Sequence, residues 1–519
     1  MADNDLVRPS RDGDQFHYHW AARQCLALLP GSSDLKAVTV EGPSSNESED
    51  LIEQGVDLID VGLYYGSETL IGARCVRYIQ LKHSTRQIVE PWQAGGLSKT
   101  LRGFTNRYKK LLEQFSVAEL KQKFRFEFTT NRPIDPRLKE ALQDLTNAAE
   151  ARHPSIEKTL LSYSALSGAQ NTDFFSLFSS DGDEPSLWAQ RNLLSQDIAK
   201  YLADSDYDAP VQLKELVTRK AGSEFTNDPA IRRHDVLRAL KVSELELLPA
   251  PCQIVRPENV FAREQEDEIL EIILHSVHPV IVHADGGIGK SILAQRLASS
   301  MPNGSESVLY DCFGDGLYRN ALHYRHRHRD ALVQISNELA ARGLCHPLLP
   351  SGLADSKQYM LAFCSRLTQA IEILRAGNPG ASLCLIIDAA DNSDMAAEEL
   401  NEHSFVKDLI RTSMPNGVRL IFTCRTHRRY RLHAPLERTE IELRPFNEVE
   451  TAQNLRTHYP EATQAEVAEF AFLSSSNPRV QALALERRLP ILEMLKQLDR
   501  SLRPWSVRSG ICCNARSIS

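Results

Sequence analysis

A glycine-rich segment near the middle of the chain has the spacing of a phosphate-binding loop. Gly286, Gly287 and Gly289 lead directly into Lys290 and Ser291. Glycines let consecutive N–H groups turn towards a polyphosphate, a lysine reaches the β- and γ-phosphates, and a serine hydroxyl can ligate Mg²⁺. The residues predicted to bind the nucleotide in this segment are Asp285, Gly286, Gly287, Ile288, Gly289, Lys290, Ser291 and Ile292.

Two later apolar segments end in charged residues that suit the same site. One ends in Asp388, and Asp391 follows three residues later. An acidic group at the carboxyl end of a buried parallel strand can hold the Mg²⁺ shell, and a second one could position the hydrolytic water. The next apolar segment ends in Arg425, whose planar guanidinium pairs well with γ-phosphate oxygens. We therefore predict Ser291 and Asp388 as the Mg²⁺ ligands of this site.

A second set of reactive side chains lies within the first hundred residues. Gln80 and Lys82 are two apart in a predicted strand, so they project to the same face. An acidic residue, Asp60 or Asp57, begins the preceding predicted strand. Metal-assisted phosphodiester cleavage requires such a set, because carboxylate and amide oxygens hold Mg²⁺ while a lysine activates water and offsets the charge of the phosphorane.

This N-terminal pattern resembles the PD-(D/E)xK nuclease superfamily, specifically the Mrr-like branch and its relatives in bacterial antiphage proteins, which use Gln-x-Lys. The segment Thr-Asn-Arg-Pro at 130–133 resembles the ending of the nuclease core in those proteins. We prefer Asp60 over Asp57 because it stands at a strand start, although spacing does not decide between them. The resemblance implies metal ligands at Asp60 and Gln80, and catalytic residues Asp60 or Asp57, Gln80, Lys82 and, as a further ligand, Glu41.

The segment 99–125 is strongly basic. It contains eight basic and two acidic residues, and Phe104, Tyr108 and Phe115 are interleaved with them. Such a mixture can follow a nucleic-acid backbone. An ordinary solvated helix has the same composition, and the sequence favours neither interpretation.

Apolar periodicity predicts the elements that carry these side chains. Residues 15–29 form a helix with one apolar face, and strands are predicted at 36–41, 58–65 and 75–82. Helical spacing dominates from residue 136 to about 247. The chain is therefore an α/β protein with a helical middle.

The second half resembles the STAND class of P-loop NTPases, close to the NACHT and NB-ARC groups. Ala284, Asn392 and Ser476 depart from the usual pattern. Nucleotide binding is still expected, and the sequence leaves the rate of hydrolysis open. The resemblance implies ATP and Mg²⁺ as cofactors. The segments that carry it are Gly-Gly-Ile-Gly-Lys-Ser at 286–291, Ile-Asp-Ala-Ala-Asp at 387–391, Thr-Cys-Arg at 423–425, Leu-Arg-Pro-Phe at 443–446 and Asn-Pro at 477–478.

In that class an N-terminal effector, a nucleotide switch and a C-terminal sensor form one chain. No repeat with a period of roughly 30–45 residues is visible here, so we expect the sensor to be missing. The predicted division is a restriction-endonuclease-like α/β/α domain at 1–160, a helical connector at 161–250, a P-loop NTPase domain with a parallel sheet at 251–440, a helical subdomain at 441–490 and a disordered tail at 491–519.

Charge and hydropathy limit the classes of function that the chain can have. The net charge of −8 and the pI near 6.1 exclude a globally basic nucleic-acid binder, so a DNA-binding surface must be local. No apolar run approaches the ~20 residues of a membrane helix, and the N-terminus lacks the apolar core of a signal peptide. We expect a cytoplasmic protein with no membrane contact.

The leading hypothesis is an ATP-controlled, Mg²⁺-dependent DNA endonuclease of bacterial antiphage defence. Nucleotide binding would drive a homo-oligomer, for example a tetramer, that cuts double-stranded DNA, and a phage-derived ligand or a separate sensor protein would trigger it. The alternative is a nucleotide-switched scaffold that binds nucleic acid or a partner without cleavage. A third hypothesis is a remnant that no longer switches.

Overall fold

The computed structural model describes residues 4–44, 58–204, 206–225, 227–255, 260–320 and 322–505. These residues form two compact units. The first unit contains the described residues up to Leu247 together with Ala340–Ala354, and the second contains those of Leu248–Leu339 and those from Asp355 onwards.

The first unit is built on one five-stranded sheet. Its strands lie side by side in chain order, and β1, β2 and β3 are antiparallel neighbours, whereas β3, β4 and β5 run parallel. The sheet is therefore mixed, with an antiparallel part formed by β1–β3 and a parallel part formed by β3–β5. The strands are β1 (Leu35–Val40), β2 (Val61–Tyr65), β3 (Cys75–Lys82), β4 (Phe124–Thr130) and β5 (Phe178–Asp181).

Helices cover both faces of this sheet. Phe16 and Trp20 of α1 pack with Leu63 and other residues of one face. Phe104 of α2 packs with Phe126 on the opposite face, with ring centroids 5.2 Å apart. The helices are α1 (Asn4–Cys25), α2 (Ser98–Leu112), α3 (Val117–Lys123), α4 (Pro136–Asn147), α5 (Pro154–Ser164), α6 (Ala169–Phe175), α7 (Leu187–Ala199), α8 (Asp208–Ala221) and α9 (Arg233–Ala239).

The predicted boundary at residue 160 and the separate connector at 161–250 differ from the structure. Strand β5 pairs with β4 in the same sheet. Leu194 of α7 and Leu213 of α8 join the cluster around α1. The apolar faces of these helices need a partner, and α1 supplies it within the same unit, so the helical segment is part of the first unit.

The second unit contains an entirely parallel sheet in the order β10-β6-β9-β8-β7. Among the helices in the described ranges, none is both long enough and apolar enough to cross a membrane. The strands are β6 (Val280–Ala284), β7 (Glu306–Asp311), β8 (Leu383–Asp388), β9 (Val418–Arg425) and β10 (Thr439–Glu442). The remaining helices are α10 (Glu264–His275), α11 (Lys290–Ser299), α12 (His328–Ala341), α13 (Ser356–Gly377), α14 (Ala390–Glu399), α15 (Phe405–Leu409), α16 (Glu448–His458), α17 (Gln464–Ser474), α18 (Pro478–Leu485) and α19 (Ile491–Trp505).

The prediction of a disordered tail from residue 491 is wrong for its first part. Residues 491–505 form α19, and Met494, Leu495 and Leu498 join the core of α16–α18. The apolar residues of this segment recur at a spacing of three to four, which places them on one face of a helix. That face packs against the preceding helices, so the segment is ordered by its partners.

Leu495 and Leu492 offer a matched pair for testing α19. Leu495 is 2% exposed, whereas Leu492 is 64% exposed on the same helix. We expect Leu495→Ala to lower the free energy of unfolding by about 2–4 kcal/mol, because it leaves a cavity in the core. Leu492→Ala should change it by less than about 0.5 kcal/mol. Urea unfolding followed by circular dichroism measures both, and equal, negligible effects would show that α19 does not pack.

Candidate functional site

The phosphate-binding loop connects β6 to α11. Gly287 and Gly289 have φ angles of 84° and 99°, in the left-handed region that residues with a Cβ rarely adopt. At Gly287 an added Cβ would also lie 2.7 Å from the Oδ1 atom of Asn477. The loop therefore turns sharply and directs the first N–H groups of α11, which begins at Lys290, towards the crevice where an anion is favoured.

Asp388 links three elements at the mouth of this crevice. It ends β8 and is 1% exposed. Its Oδ2 accepts a hydrogen bond from the Ser291 hydroxyl at 2.7 Å, and its Oδ1 accepts one from the Thr423 hydroxyl at 2.5 Å. Burial raises the pKa of Asp388, and the two hydroxyl donors oppose that rise. The structure thus places Ser291 and Asp388 in direct contact, which is compatible with both facing one Mg²⁺.

Lys290 lies over the loop that it follows. Its Nζ donates to the carbonyl oxygens of Ala284 and Asp285, both at 2.9 Å. Burial lowers the pKa of Lys290, against the attraction of the Asp388 and Asp391 carboxylates. Ala284 stands where the motif usually has glycine, and its side chain is buried in the sheet core. The methyl group of Ala284 is therefore accommodated in the core beside the sheet.

Arg425 and Asp391 complete the polar side of the site. Asp391 is buried in the first turn of α14, and the nearest Arg428 nitrogen lies 3.5 Å from its carboxylate. Arg425 ends β9, and its guanidinium forms no hydrogen bond or ion pair with any residue that the structure describes. A guanidinium without a protein partner remains available for an anion. Asn392 is buried next to Asp391 and supplies no carboxylate.

Two cavities of ≈ 390 Å³ each flank the loop, and Gly287, Lys290 and Ser291 line both. The polar cavity suits phosphates, and the apolar one, which Ile292 also lines, suits a planar base. The polar cavity is further lined by Asp311, Asp315, Asp388, Asp391 and Arg425. The apolar cavity is further lined by Val260, Phe261, Phe446, Pro478 and Ala482.

Arg263 is a residue of this site that sequence reasoning missed. It is buried, donates to the carbonyl oxygens of Ile288 and Arg444, and lies 3.6 Å from the Glu450 carboxylate. Asn477 likewise contacts the loop, because its Nδ2 donates to the Gly286 carbonyl at 3.1 Å. These contacts tie the loop to the helical segment that follows the sheet. A single arginine in a linker carries no periodic signal, so only the fold identifies its role.

In the first unit, three potential metal ligands converge. His17, Glu41 and Asp60 each present one ligand atom, and these atoms lie within 4.8 Å of one another. Burial raises the pKa of Asp60, whereas His17, Lys82 and the Leu81 N–H oppose that rise. Burial lowers the pKa of His17, but the neighbouring Glu41 and Asp60 carboxylates outweigh it, and the pKa is raised. Sequence reasoning did not single out His17, because one histidine on an apolar helix carries no specific signal.

Of the other residues predicted for this centre, Lys82 lies near it, Gln80 bonds to helix α2, and Asp57 is not described. Lys82 is close enough to lower the pKa of both Asp60 and His17, so its ammonium acts on the same centre. Gln80 is 1% exposed, and its carboxamide oxygen accepts a hydrogen bond from Thr100 of α2 at 2.5 Å. Asp57 lies outside the described residues.

The family comparison agrees with the geometry of the second unit. Residues 278–462 match the NACHT domain family. The second unit carries a NACHT P-loop NTPase domain. The match begins just before β6 and includes Asp388, Asp391 and Arg425. A search of curated proteins gave no match.

Solved structures match the chain only distantly, and their TM-scores are too low to support an argument about function. A RuvB mutant from Thermotoga maritima is 15% identical, with 48% of this chain and 74% of that chain covered and a TM-score of 0.26. PCH-2 from C. elegans is 10% identical, with 47% and 70% covered and a TM-score of 0.27. The Cap4 SAVED/CARF-domain containing receptor from Acinetobacter baumannii, with a cyclic trinucleotide, is 11% identical, with 78% and 96% covered and a TM-score of 0.26.

The position of Arg425 predicts how the NACHT domain distinguishes two nucleotides. Because its guanidinium faces the polar cavity, Arg425→Ala should weaken ATP binding by about tenfold and leave ADP binding nearly unchanged. Isothermal titration calorimetry with both nucleotides measures this ratio. Arg419→Ala, at the other end of β9, is the matched control, since its guanidinium bonds the Leu274 carbonyl instead. An equal loss of ATP and ADP affinity would show that Arg425 does not contact the γ-phosphate.

Proposed function

We propose that the chain is a nucleotide-controlled, metal-dependent DNA endonuclease. The observation that carries this proposal is the convergence of His17, Glu41 and Asp60, with the Lys82 ammonium acting on the same centre. Metal-ligating groups beside a lysine suit hydrolysis of a phosphodiester. The chemistry of the donor set supports a bound cation, because the buried Nδ1 atom of His17 forms no hydrogen bond with any described residue.

The proposed reaction is attack of water on phosphorus, which breaks one P–O bond and leaves a phosphomonoester and a hydroxyl. A divalent cation, when bound, would polarise the phosphate and acidify the water. Asp60 and Glu41 would hold that cation, because one oxygen of each lies within 4.8 Å of the other and of a His17 ring nitrogen. Lys82 would stabilise the negative charge that develops on the phosphorane oxygens.

Exposed basic residues near the start of α2 support a nucleic-acid substrate. Thr100 contacts Gln80, so the first turn of α2 lies beside the end of β3. Lys99 and Arg102 of that turn are exposed, and such charges favour a phosphate backbone. Phe104 of the basic segment is buried in the core. The helix therefore offers charge to DNA and no aromatic stacking.

Control of cleavage by the NACHT domain is part of the proposal. ATP and Mg²⁺ would bind at Lys290, Ser291 and Asp388 and favour a homo-oligomer that pairs two cutting centres on double-stranded DNA. For a shift from about 1% to about 99% of the active form, the nucleotide must bind that form more tightly by about 5.5 kcal/mol. A role in bacterial antiphage defence, with a separate or phage-derived trigger, is supported by the motif resemblances alone.

Lys82 tests the endonuclease directly. Lys82→Ala should reduce plasmid cleavage in the presence of ATP and Mg²⁺ by at least about a hundredfold, because the phosphorane loses its cationic partner. DNA binding, measured by fluorescence anisotropy, should change little. Lys36→Ala is the matched control, since Lys36 is an exposed lysine of β1 in the same sheet and bonds the Ser33 carbonyl.

Two results would contradict the proposal. Cleavage by Lys82→Ala at the rate of the parent chain would place the chemistry elsewhere. Salt-sensitive DNA binding by the parent without any metal-dependent cutting would favour the nucleotide-switched scaffold instead.

A further inference from the structure

The imidazole of His17 is held in one orientation by the backbone. Its Nε2 lies 3.1 Å from the Leu81 carbonyl oxygen. A carbonyl oxygen only accepts, so Nε2 carries the proton in the neutral ring and Nδ1 presents its lone pair. That Nδ1 atom is buried and forms no hydrogen bond within the described part of the chain. Histidine ligands of metal sites are commonly oriented in this way by a bond from the other ring nitrogen.

The Nδ1 atom of His17 faces two carboxylates. Nδ1 lies 3.7 Å from Oε1 of Glu41 and 4.0 Å from Oδ1 of Asp60. Two ligands that share one cation at about 2.1 Å lie about 3.0–3.5 Å apart. The two separations from His17 therefore need only a small contraction to enclose one cation.

The backbone also orients the Asp60 carboxylate and fixes the main chain at Glu41. Oδ2 of Asp60 accepts the Leu81 N–H at 2.6 Å, which leaves Oδ1 on the side of His17. The N–H of Glu41 donates to the Asp60 carbonyl at 2.9 Å, and Glu41 has a φ of 55°. A left-handed conformation costs a residue with a Cβ about 1 kcal/mol, and such strain concentrates at functional sites. The side chain of Thr39 supports this turn by donating to the Gly42 carbonyl at 2.7 Å.

We propose that Nδ1 of His17 and the carboxylates of Glu41 and Asp60 bind one divalent first-row transition metal ion, and that this centre prefers Mn²⁺ to Mg²⁺. A set of oxygen ligands alone suits Mg²⁺, whereas an imidazole nitrogen favours transition metals. The ligand set differs from the expected pair of Asp60 and Gln80, because Gln80 is engaged with Thr100. This inference deepens the proposed endonuclease centre, but metal binding itself does not require that the centre cuts DNA.

Mn²⁺ binding to the full, nucleotide-free chain tests the inference. We expect the parent to bind Mn²⁺ at least tenfold more tightly than Mg²⁺, as measured by electron paramagnetic resonance of free Mn²⁺ with Mg²⁺ as competitor. Electron spin echo modulation of the bound Mn²⁺ should show coupling to one ¹⁴N nucleus. The predicted Mg²⁺ ligands of the NACHT domain, Ser291 and Asp388, offer only oxygens, so this coupling reports on the histidine.

His17→Ala should lower Mn²⁺ affinity at this centre at least tenfold and abolish the ¹⁴N coupling. His17→Gln is a second variant that preserves bulk on α1, and circular dichroism checks that both are folded. His19→Ala is the matched control, because His19 lies on the same helix and its Nδ1 bonds the Gln15 carbonyl at 2.8 Å. It should bind Mn²⁺ as the parent does.

The inference is overturned if the bound Mn²⁺ shows no ¹⁴N coupling, if folded His17 variants keep both affinity and coupling, or if Mg²⁺ competes equally with Mn²⁺. In those cases His17 serves only as a partner of the two carboxylates. Failure of the endonuclease would look different. The ¹⁴N coupling would be present and His17-dependent, while Lys82→Ala would cut DNA as well as the parent does.

Discussion

A carboxylate that leaves water must find hydrogen-bond donors or a cation, and this requirement shapes both centres of the protein. Asp388 meets it with two hydroxyl donors, which come from α11 and from β9. Asp60 meets it with a backbone N–H of β3 and with the nearby His17. In each case one buried acidic group at the end of a strand draws together segments that are far apart in sequence. The chemistry that each site can perform follows from which partners it gathers.

Much of the nucleotide site could be predicted because its signals are local. Continuous apolar runs bounded by charged residues identify buried parallel strands, and β9 lies at 418–425 as the pattern predicts. The carboxyl ends of such strands share one edge of the sheet, so Asp388 and Arg425 meet near the loop. The match of residues 278–462 to the NACHT family is consistent with that reasoning. The Mrr-like assignment of the first unit stays a prediction.

Other features depend on contacts that no local pattern encodes. His17 follows Phe16 on an amphipathic helix, and only the packing of α1 on the sheet brings it to Asp60. The basic run 323–329 has the composition of a solvated surface, yet His326 is fully buried and bonds Glu402 at 2.7 Å. That carboxylate also bonds Arg327, and these bonds lower the pKa of Glu402 to about 2. Glu402 is distant from this run in sequence, and its carboxylate pairs with His326 and Arg327. Such pairing compensates the burial of polar side chains, and no local pattern in the run predicts it.

In the proposed endonuclease, a nucleotide site governs a metal-dependent cutting site within one chain. The most direct measurement is cleavage of supercoiled plasmid by the intact chain in the presence of Mg²⁺ or Mn²⁺, with and without ATP. We expect rapid linearisation only when ATP and the divalent metal are both present, and none after chelation. Cleavage at the same rate without ATP, or an intact plasmid when ATP is demonstrably bound, would contradict it.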